Sequence, residues 1–173
     1  SSNLERLLFE VSGKNAATIC GWMGELFDKG VYTIDPKTLR TLQTSFVGGF
    51  ADETGVSKTI LELYDRTDHV VDTHTAVGFN IYNRYHQRSK DEAKTVFAST
   101  ASPFKFAPAV MDAIKGAGYS TGRSNDTVIK ELSEESGLEI PVALAELPNK
   151  EIRHKDLIEK DQMESKVKEI LIG

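Results

Sequence analysis

One cysteine, Cys20, is all the thiol chemistry available to this 173-residue chain. No internal disulfide can form, and such cysteine usage points to a reducing, cytoplasmic setting. Cys20 lies in an apolar helical pattern with Ile19 and Met23 and has no base beside it. It reads as a small buried core residue rather than a nucleophile. Long apolar runs are missing too, so no segment reads as a membrane span, and the opening residues carry no secretory signal pattern. Basic charge is neither abundant nor clustered: the net charge is −5 with lysines and arginines scattered. That excludes the footprint of a nucleic-acid binder and of a membrane-surface patch. There is no His-x-x-x-His and no Cys-x-x-Cys, so a metal site is not expected. Gly48-Gly49 lacks Gly-x-Gly-x-x-Gly spacing and a Lys-Ser or Lys-Thr ending, which makes it a turn or kinked strand rather than a phosphate loop. No repeat or low-complexity segment appears.

What remains is an ordinary globular balance, 39% hydrophobic and 27% charged, in a length that suits one domain. Helix signals dominate. Asn3 is placed to cap a helix carrying Leu4, Leu7, Leu8 and Val11, with Gly13 after it. A second helix runs from about Asn15 to Asp28, its inner face Ile19, Cys20, Met23, Leu26 and Phe27, and Gly30 stops it. Asp35-Pro36 starts a short third helix reaching about Gln43. Ser57 is read as the cap of the next, and Asp72 or Thr73 as the cap of a longer one, His74 to about Arg88, with Gly78 inside it as a point of close packing. Later helices are expected after Asn125 or Asp126, from Ile140 to Leu147, and from Lys155 to Ile172, the last lying on the body.

The chain is organised around Val96-Phe97-Ala98-Ser99-Thr100-Ala101-Ser102-Pro103-Phe104-Lys105-Phe106. A β-forming apolar run breaks into a polar turn and continues as a helical pattern entered at Pro103, which predicts a buried strand, a turn and a helix. With few strands separated by helices, the sheet is expected to be parallel and small, giving an α/β, helix-rich fold. Ligands in such sheets sit at the carboxyl ends of strands, where Ser99 and Thr100 would present hydroxyls. The turn holds no acid, base or metal ligand, so it can orient a ligand but not transform one alone.

Ser99-Thr100-Ala101-Ser102-Pro103-Phe104-Lys105-Phe106 resembles the C-terminal signature of threonine synthases, usually Ser-Thr-Ala-His-Pro-Ala-Lys-Phe. Asp72-Thr73-His74-Thr75-Ala76-Val77-Gly78 resembles the family's Asp-Pro-His-Thr-Ala-Val-Gly. Ser1-Ser2-Asn3-Leu4-Glu5-Arg6-Leu7-Leu8-Phe9 is similar to a segment preceding both, and the three occur in the family's order. The resemblance implies a fold type II, tryptophan-synthase-like enzyme that uses pyridoxal 5'-phosphate to turn O-phospho-L-homoserine and water into L-threonine and phosphate. It also implies that residues 1–173 are a single C-terminal portion, incomplete without an N-terminal part. The Schiff-base lysine and the glycine-rich phosphate loop of such enzymes have no counterpart here. Lys105 matches a family lysine that is not the Schiff-base residue, so it reads as structural or solvated.

By the same resemblance, Thr100 would hydrogen-bond the pyridine nitrogen of the cofactor, with Ser99 a weaker candidate; without it, Thr100 reads as a turn cap. Asp72 and His74 stand at a helix N-terminus that would attract an anionic group, although Asp72 serves equally as a plain N-cap. Thr73 and Ser102 depart from the family's proline and histidine. The expectation is a fragment inactive alone, self-associating through apolar faces that should cover its missing part. The alternatives are another lyase of the fold, such as a threonine dehydratase, and a non-catalytic helical interaction module.

Overall fold

The computed structural model describes residues 2–153 and 155–172. Among these residues the secondary structure is entirely helical: α1 (Ser2–Val11), α2 (Ala16–Lys29), α3 (Pro36–Gln43), α4 (Glu53–Thr67), α5 (Thr73–Ser89), α6 (Ala107–Lys115), α7 (Asn125–Ser136), α8 (Val142–Glu146) and α9 (Met163–Ile172), with short 3₁₀ turns at Pro103–Phe106, Leu147–Asn149 and Lys160–Gln162.

The expected small parallel sheet is therefore wrong: no strand occurs among the described residues. Val70-Val71 and Val96-Phe97-Ala98 lack helical structure, but neither has a strand beside it. A strand's N–H and C=O groups need a second strand, and β-forming side chains alone cannot supply one. Val70 and Val71 are instead buried among helices, and Val96 is 93% exposed.

Local signals set most helix ends. Asn15 Oδ1 accepts the Thr18 N–H at 3.1 Å, and Gly30 closes α2 at φ 72°. Asp35 caps α3 through the N–H groups of Lys37 and Thr38, with Pro36 in the first turn. Other ends differ from the sequence reading. Asn3 lies inside α1, where its side chain accepts from Arg6. The cap of α4 is Asp52, whose Oδ1 accepts the Gly55 N–H at 2.7 Å, so Ser57 is already within the helix. Ser124, not Asn125 or Asp126, caps α7. Helix α9 begins only at Met163 and buries none of its residues, contrary to a helix lying on the body.

Apolar side chains gather in two clusters. The larger joins Val56, Ile60, Val70, Val71, Ala76, Phe104, Val110, Met111, Val128 and Leu132, where α4, α5, α6 and α7 pack. The smaller joins Leu8, Ile19 and Trp22, with Tyr32 stacked on Trp22, where α1 packs on α2 and α3. Ile19 and Met23 face inward as expected and Trp22 joins them, but Cys20, Leu26 and Phe27 are exposed, so that part of the expected inner face of α2 is wrong. Helix α1 and the residues Tyr32 and Ile34 after α2 cover only one side of it.

A polar clamp ties the larger cluster at its rim. Glu135 on α7 accepts from Tyr64 on α4 at 2.9 Å and pairs with Lys115 at the end of α6 at 2.5 Å. Lys115, then Tyr64, hold the Glu135 carboxyl below its ordinary value, while Glu135 raises the pKa of both partners. A second polar contact seats α5 on α4: Asn80 donates to Thr59 Oγ1 at 3.0 Å.

Candidate functional site

Asp72 is the fixed point of the site. It is fully buried and caps α5, its Oδ1 accepting the N–H groups of His74 at 2.8 Å and Thr75 at 3.3 Å. Its Oδ2 accepts the hydroxyl proton of Thr75, which is itself buried. A carboxylate at a helix N-terminus also meets the positive end of the helix dipole.

The stretch that follows α5 runs back along it. Tyr85 donates to Asp91 at 2.8 Å, and the Asp91 carbonyl lies 2.8 Å from His86 Nδ1. Phe97 then stacks on Phe79, centroids 3.7 Å apart, and meets Tyr82 edge-on. Ser99 reaches the first turn of α5, its Oγ 3.1 Å from Thr75 Oγ1. The residues expected to form a strand thus lie against a helix, in reverse order along it.

Beyond this point the chain turns. Ser102 accepts the Phe104 N–H at 3.3 Å and caps the 3₁₀ turn that leads into α6. Ser99-Thr100-Ala101 is therefore held at both ends, and the Thr100 side chain is exposed between them. Among the described residues the Thr100 hydroxyl has no hydrogen-bond partner. His74 is exposed, and its ring lies against Phe106, centroids 4.9 Å apart. Lys105 places Nζ 5.3 Å from the Phe106 ring centroid.

The structure thus gathers Asp72, His74, Ser99 and Thr100 where the start of α5 meets the turn before α6. Their surroundings differ. The Asp72 oxygens are spent on main-chain and threonine donors, whereas Thr100 is exposed and its hydroxyl has no partner among the described residues. The sequence reading does not single out Thr75, which links the two segments. The signal for it is the Asp72-x-x-Thr75 spacing, which puts both side chains on one edge of a first helical turn.

A hydroxyl suits the nitrogen of an aromatic ring, because it can donate to it or accept from it without adding charge. Thr100 fits that role. Asp72 fits as the support behind the turn. The N–H groups of His74 and Thr75 are taken by Asp72, so the exposed His74 side chain is what this helix start offers an anionic group.

Residues 75–170 match the family model described as threonine synthase, C-terminal. Threonine synthase of Saccharomyces cerevisiae is 29% identical over 153 residues, which cover 80% of this chain and 29% of that protein. The crystal structure of threonine synthase from yeast aligns with a TM-score of 0.68 at 25% identity, over 99% of this chain and 34% of that one. Threonine synthase from Brucella melitensis, solved with PLP bound, aligns with a TM-score of 0.61 at 28% identity, over 87% of this chain and 28% of that one. The chain spans about a third or less of the length of these relatives. The matched region contains α5 from Thr75 onward and the whole Ser99–Phe106 turn, and on that match the chain belongs to the threonine synthase C-terminal family.

Proposed function

We propose that this chain is the C-terminal part of a threonine synthase, a pyridoxal-phosphate enzyme that converts O-phospho-L-homoserine and water to L-threonine and phosphate in cytoplasmic threonine biosynthesis. Residues 1–173 act as one portion of its catalytic body and work with the N-terminal portion that carries the Schiff-base lysine and the phosphate loop. The observation that carries this reading is the unpartnered Thr100 hydroxyl, displayed on a turn pinned by Thr75 on one side and Ser102 on the other.

The cofactor, when bound, supplies the electron sink for elimination and replacement chemistry. Thr100 takes the ring nitrogen. A hydroxyl leaves that nitrogen less firmly protonated than a carboxylate would, which restrains the sink and favours replacement over competing routes. Ser99 secures the turn against α5. Asp72 anchors the helix start, and His74 stands at its exposed edge, facing anionic groups of cofactor or substrate. The apolar side chains left uncovered, among them Phe27, Phe50 and Leu171, are faces for the N-terminal portion and, in its absence, for self-association.

The test uses the full-length enzyme that contains this chain, assayed by phosphate release from O-phospho-L-homoserine. Thr100→Val is expected to lower kcat roughly tenfold, equivalent to about 1.4 kcal/mol for one hydrogen bond, with Thr100→Ser restoring it. Deamination of threonine in place of phosphate release would move the assignment to a threonine dehydratase. The 173-residue chain alone is expected to develop no imine absorbance with pyridoxal phosphate.

A further inference from the structure

The part-buried polar contact between α5 and the turn gives Thr75 a role of its own. Thr75 has one hydroxyl proton, and a carboxylate can only accept, so that proton goes to Asp72 Oδ2. Thr75 Oγ1 also lies 3.1 Å from Ser99 Oγ, so this one hydroxyl touches both Asp72 and Ser99. Asp72 cannot shift to accommodate a different arrangement, because Oδ1 is already held by two main-chain N–H groups. Thr75 therefore links Ser99 to the fixed carboxylate of Asp72.

The link holds Ser99 against the first turn of α5, and the next residue, Thr100, is exposed. We propose that Thr75 is a positioning residue for the reaction, fixing through Ser99 the direction in which Thr100 presents its hydroxyl. This proposal rests on the reading of Thr100 as the residue that meets the cofactor.

The experiment has two arms. In the first, the 173-residue chain is labelled for NMR with no ligand added, and the amides of Ser99, Thr100 and Ala101 are followed. Thr75→Val, which keeps the side-chain shape, and Ser99→Ala, at an exposed position, are each expected to shift these resonances and speed exchange of the Thr100 amide at least threefold. Thr75→Ser should leave both unchanged, and the double variant Thr75→Val/Ser99→Ala should match either single one. Unmoved resonances in Thr75→Val, or additive effects in the double variant, overturn the proposal. If Thr75→Val does not fold, Ser99→Ala reads the same link from its other end, and unmoved resonances there overturn it equally.

In the second arm, the full-length enzyme carrying Thr75→Val is expected to lose about tenfold in kcat with KM little changed, restored by Thr75→Ser. A fall in KM-dependent binding alone, without loss of kcat, overturns the proposal. A turn that responds in the first arm, in an enzyme indifferent to Thr100→Val, overturns the cofactor reading of Thr100 while supporting Thr75 as the residue that sets the turn.

Discussion

Phe97 lies flat on Phe79, ring planes 11° apart and centroids separated by 3.7 Å, and this pair fastens a stretch without regular structure to the side of α5. No strand accompanies the stretch among the described residues, and contacts of Asp91, Phe97 and Ser99 with α5 fasten the chain between Lys90 and Ser99.

The first prediction concerns that pair. Phe97→Ala removes both the stack on Phe79 and the edge contact with Tyr82. A loss of about 1–2 kcal/mol is expected in urea unfolding, together with faster proteolytic cleavage between Lys90 and Ala98. Phe97→Leu should recover part of the stability. Cleavage unchanged in Phe97→Ala would mean that the stack does not hold the stretch.

Acid should act through the carboxylates held low in the fold. Lys115 and Tyr64 depress the Glu135 carboxyl, and the Ser120 N–H, 2.7 Å from Asp112 Oδ1, depresses Asp112. A depressed carboxylate adds stability above its unfolded value, about 4.3 for Glu, and loses it as pH falls through the lower folded value. The urea midpoint is therefore expected to drop as pH is taken from about 5 to 3. Glu135→Gln should flatten that drop, and its midpoints across the range are the measurement.

Gly78 offers a gain. The sequence reading gives it a close-packing role, yet a Cβ built there meets only Phe97, at an ordinary 3.9 Å. Gly78→Ala is expected to raise stability by up to about 1 kcal/mol through helix propensity. Gly49 is the contrasting case, since its Cβ would come within 3.0 Å of Ile81, and Gly49→Ala should not stabilise.

The smaller cluster can be tested through the only tryptophan. Trp22 packs with Leu8 and Ile19 and stacks on Tyr32, away from the residues of the larger cluster. Leu8→Ala, at a position 1% exposed, is expected to cost about 2–4 kcal/mol in the transition read by Trp22 fluorescence. The far-ultraviolet circular dichroism, to which α4 to α7 contribute together with the other helices, should shift less. Equal shifts in both signals would show that the clusters unfold as one.

Helix starts were legible where a side chain serves its own neighbourhood. Asn15, Asp35 and Asp72 cap as their sequence contexts suggest, and the turn at Ser102-Pro103 leads into a helix as expected. Asp52 is missed because Ser57 also offers a capping hydroxyl; it is the Asp52 side chain that accepts the Gly55 N–H and starts the helix. The sheet failed for a non-local reason: Val96-Phe97-Ala98 has strand composition, but pairing depends on residues elsewhere, and here Phe79 offers an aromatic face in their place. Cys20 failed similarly, because apolar spacing marks a stripe without saying which part of it a neighbour covers. At the site, motif resemblance singled out Asp72, His74, Ser99 and Thr100, while the contact joining the two motifs, Thr75 to Ser99, depends on the fold.

The return of the chain along α5 has a bearing on insertions. Glu92, Lys94 and Val96 are exposed and lie between the Asp91 and Phe97 anchor points, so an added residue there lengthens an arc whose ends stay put. An added residue between Phe97 and Ser99 is different in kind. It would carry Ser99 off its contact with Thr75 and so unfasten the turn that bears Thr100, while leaving the helices on either side undisturbed.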